Sequence, residues 1–297
     1  MKYLVVLARE RHFGRAAEQC HVSQPTLSVA IKKLEGEVGA PLFERIYNGL
    51  RPTSLGEKLV EQAKVVLAEA LRFSEMANAG RDPFNERLRI GVIYTIAPYL
   101  LPKLVPALHQ RAPSLSLYLR EDYTANLLPA LKEGDLDVLV LALPIAETGI
   151  VSLKLYEEPF RVVVPEGHPW RGEIDVAQVD SNQLLLLGPG NCFRDQVLEA
   201  CPQIASDQAK GNTLEGGSLE TLRHMVASGS GIAVMPSSAA DPLSESEALV
   251  RVLSFKAPVP IRKVGLAWRS SFPRPQVIDV LKAAILACSL PGTRITR

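Results

Sequence analysis

Beyond residue 87 the chain alternates short apolar runs with segments whose apolar residues recur every three or four positions, and this alternation restricts the fold most. Strands are predicted at Leu88–Ile93, Leu115–Leu119, Asp137–Ala142, Leu184–Leu187 and Ile232–Met235, and helices at Pro98–Gln110, Asn126–Glu133, Arg194–Glu199 and Ser218–Ser228. Alternation of this kind favours a largely parallel sheet with crossover helices. The sequence therefore predicts an α/β fold for this part of the chain.

Two such sheets are expected, because the chain has two groups of these units. The segments that cross between them are predicted near Glu158–Val163 and Arg262–Trp268. Open α/β sheets bind ligands in the crevice outside the carboxyl ends of their strands. We therefore expect two subdomains with a ligand cleft between them.

The first 51 residues indicate a group of short helices. Ser23 is a suitable N-cap, and Pro25 falls in the first turn of a helix, where no N–H group is needed. Apolar residues then recur on one face from Thr26 to Val38. A short helix with the small pair Ala16-Ala17 precedes this one, which is the layout of a helix-turn-helix motif.

Polar residues lie at the start of the second helix of this motif, where a recognition helix meets base edges in the major groove. Gln24 can bond adenine, Thr26 can contact a thymine methyl, and Ser28 can bond a base or a phosphate; basic side chains suit phosphates. The predicted DNA-binding residues are Ser23, Gln24, Pro25, Thr26, Ser28, Lys32, Lys33, Arg45 and Arg51. The alternative is a helical bundle with solvated lysines. A net charge of +3 on residues 1–51, against −2 on the rest, permits nucleic-acid contact at this end.

A small hairpin is predicted over Phe43–Pro52, with Asn48-Gly49 as its turn. Thr53 or Ser54 can then cap a long helix from about Leu55 to Ala79. Its single apolar stripe has no globular neighbour in the sequence, which suggests pairing with another copy of the chain. With a hinge at Gly80–Pro83, the predicted domains are 1–53, 54–80 and 81–297. The apolar stripe consists of Leu55, Leu59, Ala63, Val66, Ala70, Phe73 and Ala77.

Several functional classes are disfavoured by what the sequence lacks. The longest apolar stretch, Val138 to Ala146, is far shorter than the roughly 18 residues of a membrane span. No small-residue cleavage site follows the apolar run Tyr3–Ala8, so a signal peptide is not expected. We therefore expect a cytoplasmic protein. Common catalytic motifs and zinc-like Cys/His spacings are absent, so neither a metal nor a cofactor is expected, and an ordinary enzyme is disfavoured.

The first 60 residues resemble the N-terminal domain of LysR-type transcriptional regulators. The motifs that carry the resemblance are Ala16-Ala17, Ser23-Gln24-Pro25, Ser28, Ile31, Leu34-Glu35, Leu42-Phe43-Glu44-Arg45 and Thr53-Ser54-Leu55-Gly56. The resemblance implies a winged helix-turn-helix, a dimerising linker helix and a two-subdomain effector domain similar to periplasmic binding proteins. It also implies double-stranded DNA as partner and a tetramer, with RNA polymerase as a further partner. Val29-Ala30 stand where relatives often carry polar base-reading residues.

A second resemblance concerns Cys192 and Cys201. The motifs Gly91–Pro102, Gly190–Gln196 and Ser218–Val226 resemble the effector domain of OxyR-type hydrogen peroxide sensors. It implies that Cys192 is the peroxidatic thiol and Cys201 the resolving thiol. Thr95 and Thr124 would then line the peroxide pocket, with Arg194 and Asp195 flanking the thiol. Asn191 stands where that group usually has histidine.

The residue chemistry agrees with this assignment. Cys192 opens a predicted helix, where backbone N–H groups favour a thiolate, and Arg194 adds positive charge. If both cysteines lay on one helix, nine residues would separate them by roughly 13.5 Å, whereas a disulfide needs Cα atoms within about 6.8 Å. Oxidation would therefore remodel residues 192–201 and change how the paired recognition helices meet DNA. The resemblance implies that this change controls oxidative-stress genes.

Two other functions stay open at this point. The chain could be a LysR-type regulator gated by a small metabolite in the cleft between the subdomains, with inert cysteines. It could also be a thiol peroxidase, although residues 1–60 would then have no explanation.

Overall fold

The computed structural model describes residues 1–46, 49–78, 82–180, 182–207, 214–246 and 248–295. The chain divides into two compact units, 1–78 and 79–297. The predicted hinge residues Gly80 and Arg81 lie outside the described residues.

Three helices and a hydrophobic core form the first part of unit 1. The helices are α1 (Lys2–Glu10), α2 (Phe13–Gln19) and α3 (Gln24–Val38). The His12 ring caps α2 by accepting from Gly14 N, and Ser23 Oγ caps α3 by accepting from Thr26 N at 3.3 Å, which confirms the predicted cap. Gly39 ends α3 in the left-handed conformation, with φ of 77°.

A two-stranded hairpin follows α3. Strand β1 (Phe43–Ile46) pairs antiparallel with β2 (Gly49–Pro52), as predicted, although Asn48 of the expected turn lies outside the described residues. Helix α4 (Ser54–Asn78) begins beside this hairpin, capped by Thr53 Oγ1, which accepts from Gly56 N at 3.0 Å. Glycine is required at position 56, since a Cβ there would lie 2.0 Å from the Leu42 carbonyl oxygen.

The apolar stripe predicted along α4 divides between two environments. Leu59 and Ala63 pack on the core of unit 1. Val66 and Phe73 are exposed instead, and 75% of Phe73 is accessible. The side chain of Ala77 lies outside the described residues. The second half of the helix therefore presents apolar side chains that its own unit does not cover.

Unit 2 begins with the first of two α/β subdomains. Its parallel strands are β3 (Leu88–Ile93), β4 (Leu117–Asp122) and β5 (Val138–Leu143), and its helices are α5 (Ala97–Arg111), α6 (Thr124–Lys132) and the later α12 (Pro275–Ala287). The predicted order is confirmed. The largest boundary differences are in β4, which begins at Leu117 rather than Leu115 and runs on to Asp122, and in α6, which begins at Thr124 rather than Asn126.

The second subdomain contains the remaining units. Its strands are β7 (Leu184–Leu187), β8 (Glu215–Gly216), β9 (Ile232–Pro236) and β10 (Val250–Ser254), and its helices are a 3₁₀ turn at Val176–Gln178, α7 (Cys192–Ala200), α8 (Pro202–Asp207), α9 (Leu219–Ala227), α10 (Ser237–Ala240) and α11 (Leu243–Ser246). Strand β7 lies parallel to both β8 and β9. Helix α7 is longer at each end than predicted and begins at Cys192 itself.

Two long strands connect the subdomains, close to the predicted crossing segments. They are β6 (Ile150–Pro165) and β11 (Ile261–Arg269), and the short β12 (Arg294–Ile295) pairs with β6. The two sheets that were predicted to be joined by these segments form one continuous sheet. Because β6 pairs with β11 along its first part and with β9 and β10 along its last part, its hydrogen bonds join all these strands into one sheet.

The hydrophobic cores nevertheless remain separate. One core surrounds β3, β5 and α5, with Leu100 and Val140 fully buried. The other surrounds β7 and β9, with Val163 and Cys201 fully buried. The two subdomains therefore share backbone hydrogen bonds but are stabilised by different sets of apolar contacts.

Candidate functional site: the Cys192 pocket

Helix α7 places Cys192 at its first position. The Asn191 side chain caps this helix, since its Oδ1 accepts a hydrogen bond from Phe193 N at 3.1 Å. Asparagine is among the preferred N-cap residues because a short side-chain oxygen satisfies one of the free N–H groups of the first turn. The residue at the usual histidine position thus has a structural role here.

The Cys192 sulfur lies between the two subdomains. Although α7 belongs to the second subdomain, Cys192 packs against the core of the first. The hydroxyl of Thr124, the first residue of α6, donates to Cys192 Sγ across 3.8 Å. Thr124, which is predicted to line a peroxide pocket, thus lies within hydrogen-bonding distance of this thiol.

Thr95 reaches the same region through Arg262. Its side chain is buried, in the loop between β3 and α5, and its Oγ1 accepts a hydrogen bond from Arg262 Nη1 at 2.9 Å. Arg262 Nη2 donates to the Thr95 carbonyl oxygen at 3.1 Å. The same guanidinium stacks over the Phe193 ring, 5.3 Å from its centroid. Arg262 therefore connects the Thr95 loop to the first turn of α7.

The charge of Arg262 is balanced by Glu158, which lies directly opposite it on the neighbouring strand β6. Arg262 Nε donates to Glu158 Oε2 at 2.7 Å, and both side chains are fully buried. Glu158 Oε1 accepts a further hydrogen bond from Ser238 N at 2.8 Å. Both oxygens of the Glu158 carboxylate therefore accept a hydrogen bond.

Burial and charge act on the thiol in opposite directions. Burial raises the pKa of Cys192 above its ordinary value, and Asp195 adds to the increase. The Thr124 hydrogen bond and the positive charge of Arg262 lower the pKa and offset part of the increase. The expectation that the helix start favours a thiolate was incomplete because it left out the cost of burying the charge.

The two residues predicted to flank the thiol have different surroundings. Arg194 Nη1 donates to the Leu187 carbonyl oxygen and to Glu215, each at 2.6 Å, which ties the start of α7 to β7 and β8. Asp195 is exposed. The cation that lowers the pKa of Cys192 is Arg262, from a distant part of the sequence.

Cys201 follows the last residue of α7 and is fully buried in the core of the second subdomain. Burial raises its pKa to about 11, so it is a neutral thiol at physiological pH. Both cysteines are free thiols. The two cysteines are nine positions apart along α7, and a helical rise of about 1.5 Å per residue would separate their Cα atoms by roughly 13.5 Å, about twice the separation that a disulfide allows.

A cavity of about 670 Å³ lies beside the second half of α7. Gln196 and Glu199 contribute to its wall from the helix, and the segment Lys256–Lys263 forms much of the other side. The cavity therefore borders the part of the chain that must move before the two sulfurs can meet. Within the described residues no group of three or more His, Cys, Asp or Glu side chains is placed to hold a metal ion.

The predicted DNA-binding residues lie on α3 and on the hairpin of unit 1. Thr26, Lys32 and Lys33 are exposed, whereas Leu27 and Ile31 on the opposite face are buried. Ser23 Oγ shares a hydrogen bond of 2.7 Å with Thr26 Oγ1. The other predicted residues are exposed or half-buried, namely Gln24, Pro25, Ser28, Arg45 and Arg51.

Two of these side chains have acidic neighbours. Arg51 pairs with Glu44 on the opposite strand of the hairpin, and Lys33 lies 4.0 Å from Glu37. Both contacts are on the surface, where an ion pair contributes little and is easily exchanged for a phosphate. Val29, where relatives often carry a polar residue, is 67% exposed in the middle of this surface.

Sequence reasoning missed Arg262 and Glu158 as site residues. Each was placed only at the edge of a crossing segment, and neither belongs to a recognisable motif. One signal in the sequence could have identified them. Each of the two apolar, strand-forming segments contains a charged residue, and a charge that is buried in a sheet normally has a partner of opposite charge.

Sequence and structure comparisons identify two domains of one family. Residues 1–57 match the "Bacterial regulatory helix-turn-helix protein, lysR family", and residues 81–287 match the "LysR substrate binding domain". In the described part of the chain, no helix combines the length and the apolar character that crossing a membrane requires.

Several proteins named OxyR are similar to this chain over nearly its full length. The chain is 40% identical over 289 residues to the "DNA-binding transcriptional dual regulator OxyR" of Escherichia coli, covering 97% of this chain and 94% of that protein. A full-length Pseudomonas aeruginosa OxyR carrying a cysteine-to-aspartate change is similar in structure, with a TM-score of 0.76, 47% identity and coverage of 100% and 97%. A hydrogen peroxide-bound cysteine-to-serine mutant of Corynebacterium glutamicum OxyR is 31% identical, with a TM-score of 0.65 and coverage of 97% and 90%. The chain therefore belongs to the LysR family of bacterial transcriptional regulators and, within it, to the OxyR group.

Proposed function

We propose that this protein is a DNA-binding transcription regulator that senses hydrogen peroxide through Cys192 and Cys201 and switches the control of oxidative-stress genes. The observation that carries the proposal is the Cys192 sulfur at the start of α7, with the Thr124 hydroxyl donating to it and Arg262 lowering its pKa. Relatives of similar length are named "Hydrogen peroxide-inducible genes activator", which supports the same conclusion.

The first chemical step takes place at Cys192. Its thiolate attacks one oxygen of hydrogen peroxide, an S–O bond forms, the O–O bond breaks, and the leaving hydroxide takes up a proton to become water. The product is a sulfenic acid. Thr95 and Thr124 suit a small uncharged ligand because each hydroxyl can both donate and accept a hydrogen bond.

The second step joins the two cysteines. The Cys201 sulfur attacks the Cys192 sulfenic sulfur, an S–S bond forms, and the hydroxide that leaves combines with the Cys201 proton as a second water. Two electrons have then passed from the two thiols to one peroxide. Because residues 1–57 match a bacterial regulatory helix-turn-helix domain, we infer that the protein uses this disulfide as a switch and not in the turnover of a substrate.

The remaining roles follow from the same proposal. Residues 1–53 would bind DNA through the side chains predicted above, 54–80 would pair two copies, and 81–297 would carry the sensor. The exposed apolar residues of α4 support pairing. A tetramer, contact with RNA polymerase and a cytoplasmic location belong to the proposal, since a regulator of this family acts where DNA and polymerase are found.

Peroxide treatment of single-cysteine variants tests the proposal. Cys192→Ser should abolish both the disulfide and the change in operator footprint, and Cys201→Ser should allow oxidation to stop at the sulfenic acid, seen by mass spectrometry of the two peptides. Cys288→Ser is the matched control, because Cys288 is a buried thiol that bonds the Ala284 carbonyl oxygen within its own helix. It should respond as the unmodified protein does.

The alternative of a metabolite-gated regulator makes the opposite prediction. A Cys192→Ser protein that still changes its footprint with a cell extract freed of peroxide, and an unmodified protein that keeps both thiols under peroxide, would favour that alternative.

A further inference from the structure

A buried chain of hydrogen bonds passes beside the first turn of α7 and joins both subdomains. It runs from Ser238 N at the start of α10 to Glu158 on β6, then to Arg262 on β11, and ends on Thr95 after β3. We propose that Glu158 is a positioning residue for the peroxide reaction, which acts by fixing the Arg262 guanidinium between Thr95 and Cys192. This inference rests on the proposed function.

The geometry of the Glu158 carboxylate supports this positioning role. Both neighbours of Glu158 are hydrogen-bond donors: Ser238 N reaches Oε1 and Arg262 Nε reaches Oε2. A carboxylate is acceptor-only and therefore satisfies both, whereas an amide of the same shape would turn an NH₂ group toward one of the donors. The site therefore selects a carboxylate, in which Oε2 holds Arg262 Nε while Oε1 is held by the backbone at Ser238.

The position of Arg262 also determines how the Thr95 hydroxyl can form hydrogen bonds. Arg262 Nη1 donates to Thr95 Oγ1 and thereby occupies one lone pair of the hydroxyl. A hydroxyl has one proton and two lone pairs, so Thr95 keeps its proton for donation. With Arg262 fixed, Thr95 becomes a hydrogen-bond donor for the oxygen of a bound peroxide.

Glu158 reaches the thiol through Arg262. Its carboxylate contacts Arg262 and the start of α10, while Thr124 is the side chain seen bonding the sulfur. A group that works through Arg262 should have no effect of its own once Arg262 is absent. This separates a positioning role from a general contribution to folding.

Charged and titratable groups from several elements surround the Cys192 thiol and affect its pKa. Arg262 from β11 and Asp195 from its own helix act on Cys192, and α6 contributes the neutral Thr124. Tyr99 on α5 and Tyr156 on β6 also lie near Arg262, and burial raises the pKa of both phenols above its ordinary value.

The test measures two rates at Cys192 from pH 5 to 10, the rate of oxidation by hydrogen peroxide and the rate of alkylation by iodoacetamide. Glu158→Gln should slow oxidation at pH 7 by about 10- to 100-fold, the usual cost of a displaced catalytic environment, and shift both pH midpoints upward. Glu158→Asp, which keeps the carboxylate, should recover part of the rate. Glu157→Gln is the matched control on the same strand, because Glu157 pairs with Lys154 at the surface, and it should change neither rate.

A double variant shows whether Glu158 acts through Arg262. Replacing a buried ion pair by apolar residues usually preserves folding, so Glu158→Met with Arg262→Met remains informative if Glu158→Gln melts early. The double variant should oxidise at the same rate as Arg262→Met alone. A further loss in the double variant, or unchanged oxidation and alkylation in Glu158→Gln, would overturn the inference.

The same data separate this inference from the proposed function. If peroxide leaves Cys192 unoxidised in the unmodified protein, the sensor proposal fails, and the alkylation midpoints still show whether Glu158 controls the thiol. If oxidation is fast and insensitive to Glu158, the sensor proposal stands and the positioning role fails.

Discussion

Cys192 packs against the hydrophobic core of the first subdomain, whereas Cys201 is buried in the core of the second. The full length of α7 separates them, and each contributes to apolar contacts that the other does not share. A disulfide between them requires the helix to unwind and at least one thiol to leave its core. Oxidation therefore costs packing free energy, which the S–S bond must offset.

Unwinding of α7 can be observed directly. We expect the backbone amides of residues 196–200, protected by the helix in the reduced protein, to exchange with deuterium at least tenfold faster after peroxide treatment, because their hydrogen bonds are lost. Hydrogen-exchange mass spectrometry measures this. The amides of α12, which packs within the first subdomain, serve as the internal control. An oxidised protein with a disulfide and unchanged protection in α7 would refute the expected unwinding.

Asn191→Ala should destabilise the reduced helix by about 1 kcal/mol, because the first turn loses its cap. The reduced form alone contains the intact helix, so the disulfide becomes harder to reduce. At about 30 mV for each 1.4 kcal/mol, the reduction potential should become more negative by roughly 20 mV. Equilibration with a glutathione redox buffer measures the shift, and Asn191→Asp, which can still cap, should leave it small.

The pH dependence of oxidation follows from the raised pKa of Cys192. Only the thiolate attacks peroxide, and a raised pKa reduces the thiolate fraction at neutral pH, so the rate should increase from pH 6 to pH 9 without levelling off near pH 7. Thr124→Val removes a hydrogen bond that lowers the pKa and should move the curve to higher pH. A rate that is constant over this range would contradict the effect of burial.

The two thiols should differ in alkylation before oxidation. Since burial raises the pKa of Cys201 to about 11 and hides it in the core, iodoacetamide at pH 8 should label Cys192 at least tenfold faster. Peptide mass spectrometry gives both rates in one sample. Equal labelling would mean that the second core opens readily in the reduced state.

Pairing through α4 is tested at Phe73, whose exposed ring has no cover within unit 1. Phe73→Lys should weaken self-association by at least tenfold, because a charge replaces apolar surface that a second copy would bury. Analytical ultracentrifugation measures the change. Val151→Lys, at a 40% exposed apolar position in unit 2, is the control and should associate normally.

The recognition helix allows two kinds of contact to be separated. Gln24→Ala should weaken binding to the operator by about 1–3 kcal/mol and relax the preference at one base pair, whereas Lys33→Ala should weaken all DNA equally and reduce the salt dependence by about one ion. Binding isotherms at several salt concentrations distinguish these outcomes. A Gln24 variant that loses affinity equally for every sequence would show that this residue contacts only the backbone.

Local patterns predicted the elements well because each pattern has a local cause. The helical spacing of Leu27 and Ile31 and the cap at Ser23 depend on neighbours within a few residues, and both are confirmed. The boundary error at α6 has a local cause that periodicity does not show: Asp122 Oδ1 accepts hydrogen bonds from Tyr123 N and from the Asn126 side chain, beside the first turn of the helix that starts at Thr124. The positions of Thr124 and Cys192 within the site came from family resemblance and not from periodicity.

The Arg262–Glu158 pair could not be predicted from local signals. The two residues are 104 positions apart, and their meeting depends on the register between β6 and β11. A shift of one residue would turn each side chain to the other face of the sheet. The charge balance of the pocket is therefore set by strand pairing across the whole effector unit, which no single segment encodes.

Strand β6 has a mechanical consequence for such a switch. Its backbone pairs with strands of both subdomains, so pulling the halves apart would break a whole ladder of hydrogen bonds, whereas twisting the ladder breaks few. The connection is stiff toward separation and compliant toward torsion. For a switch of the proposed kind, we therefore expect oxidation of Cys192 to turn one subdomain against the other rather than to separate them.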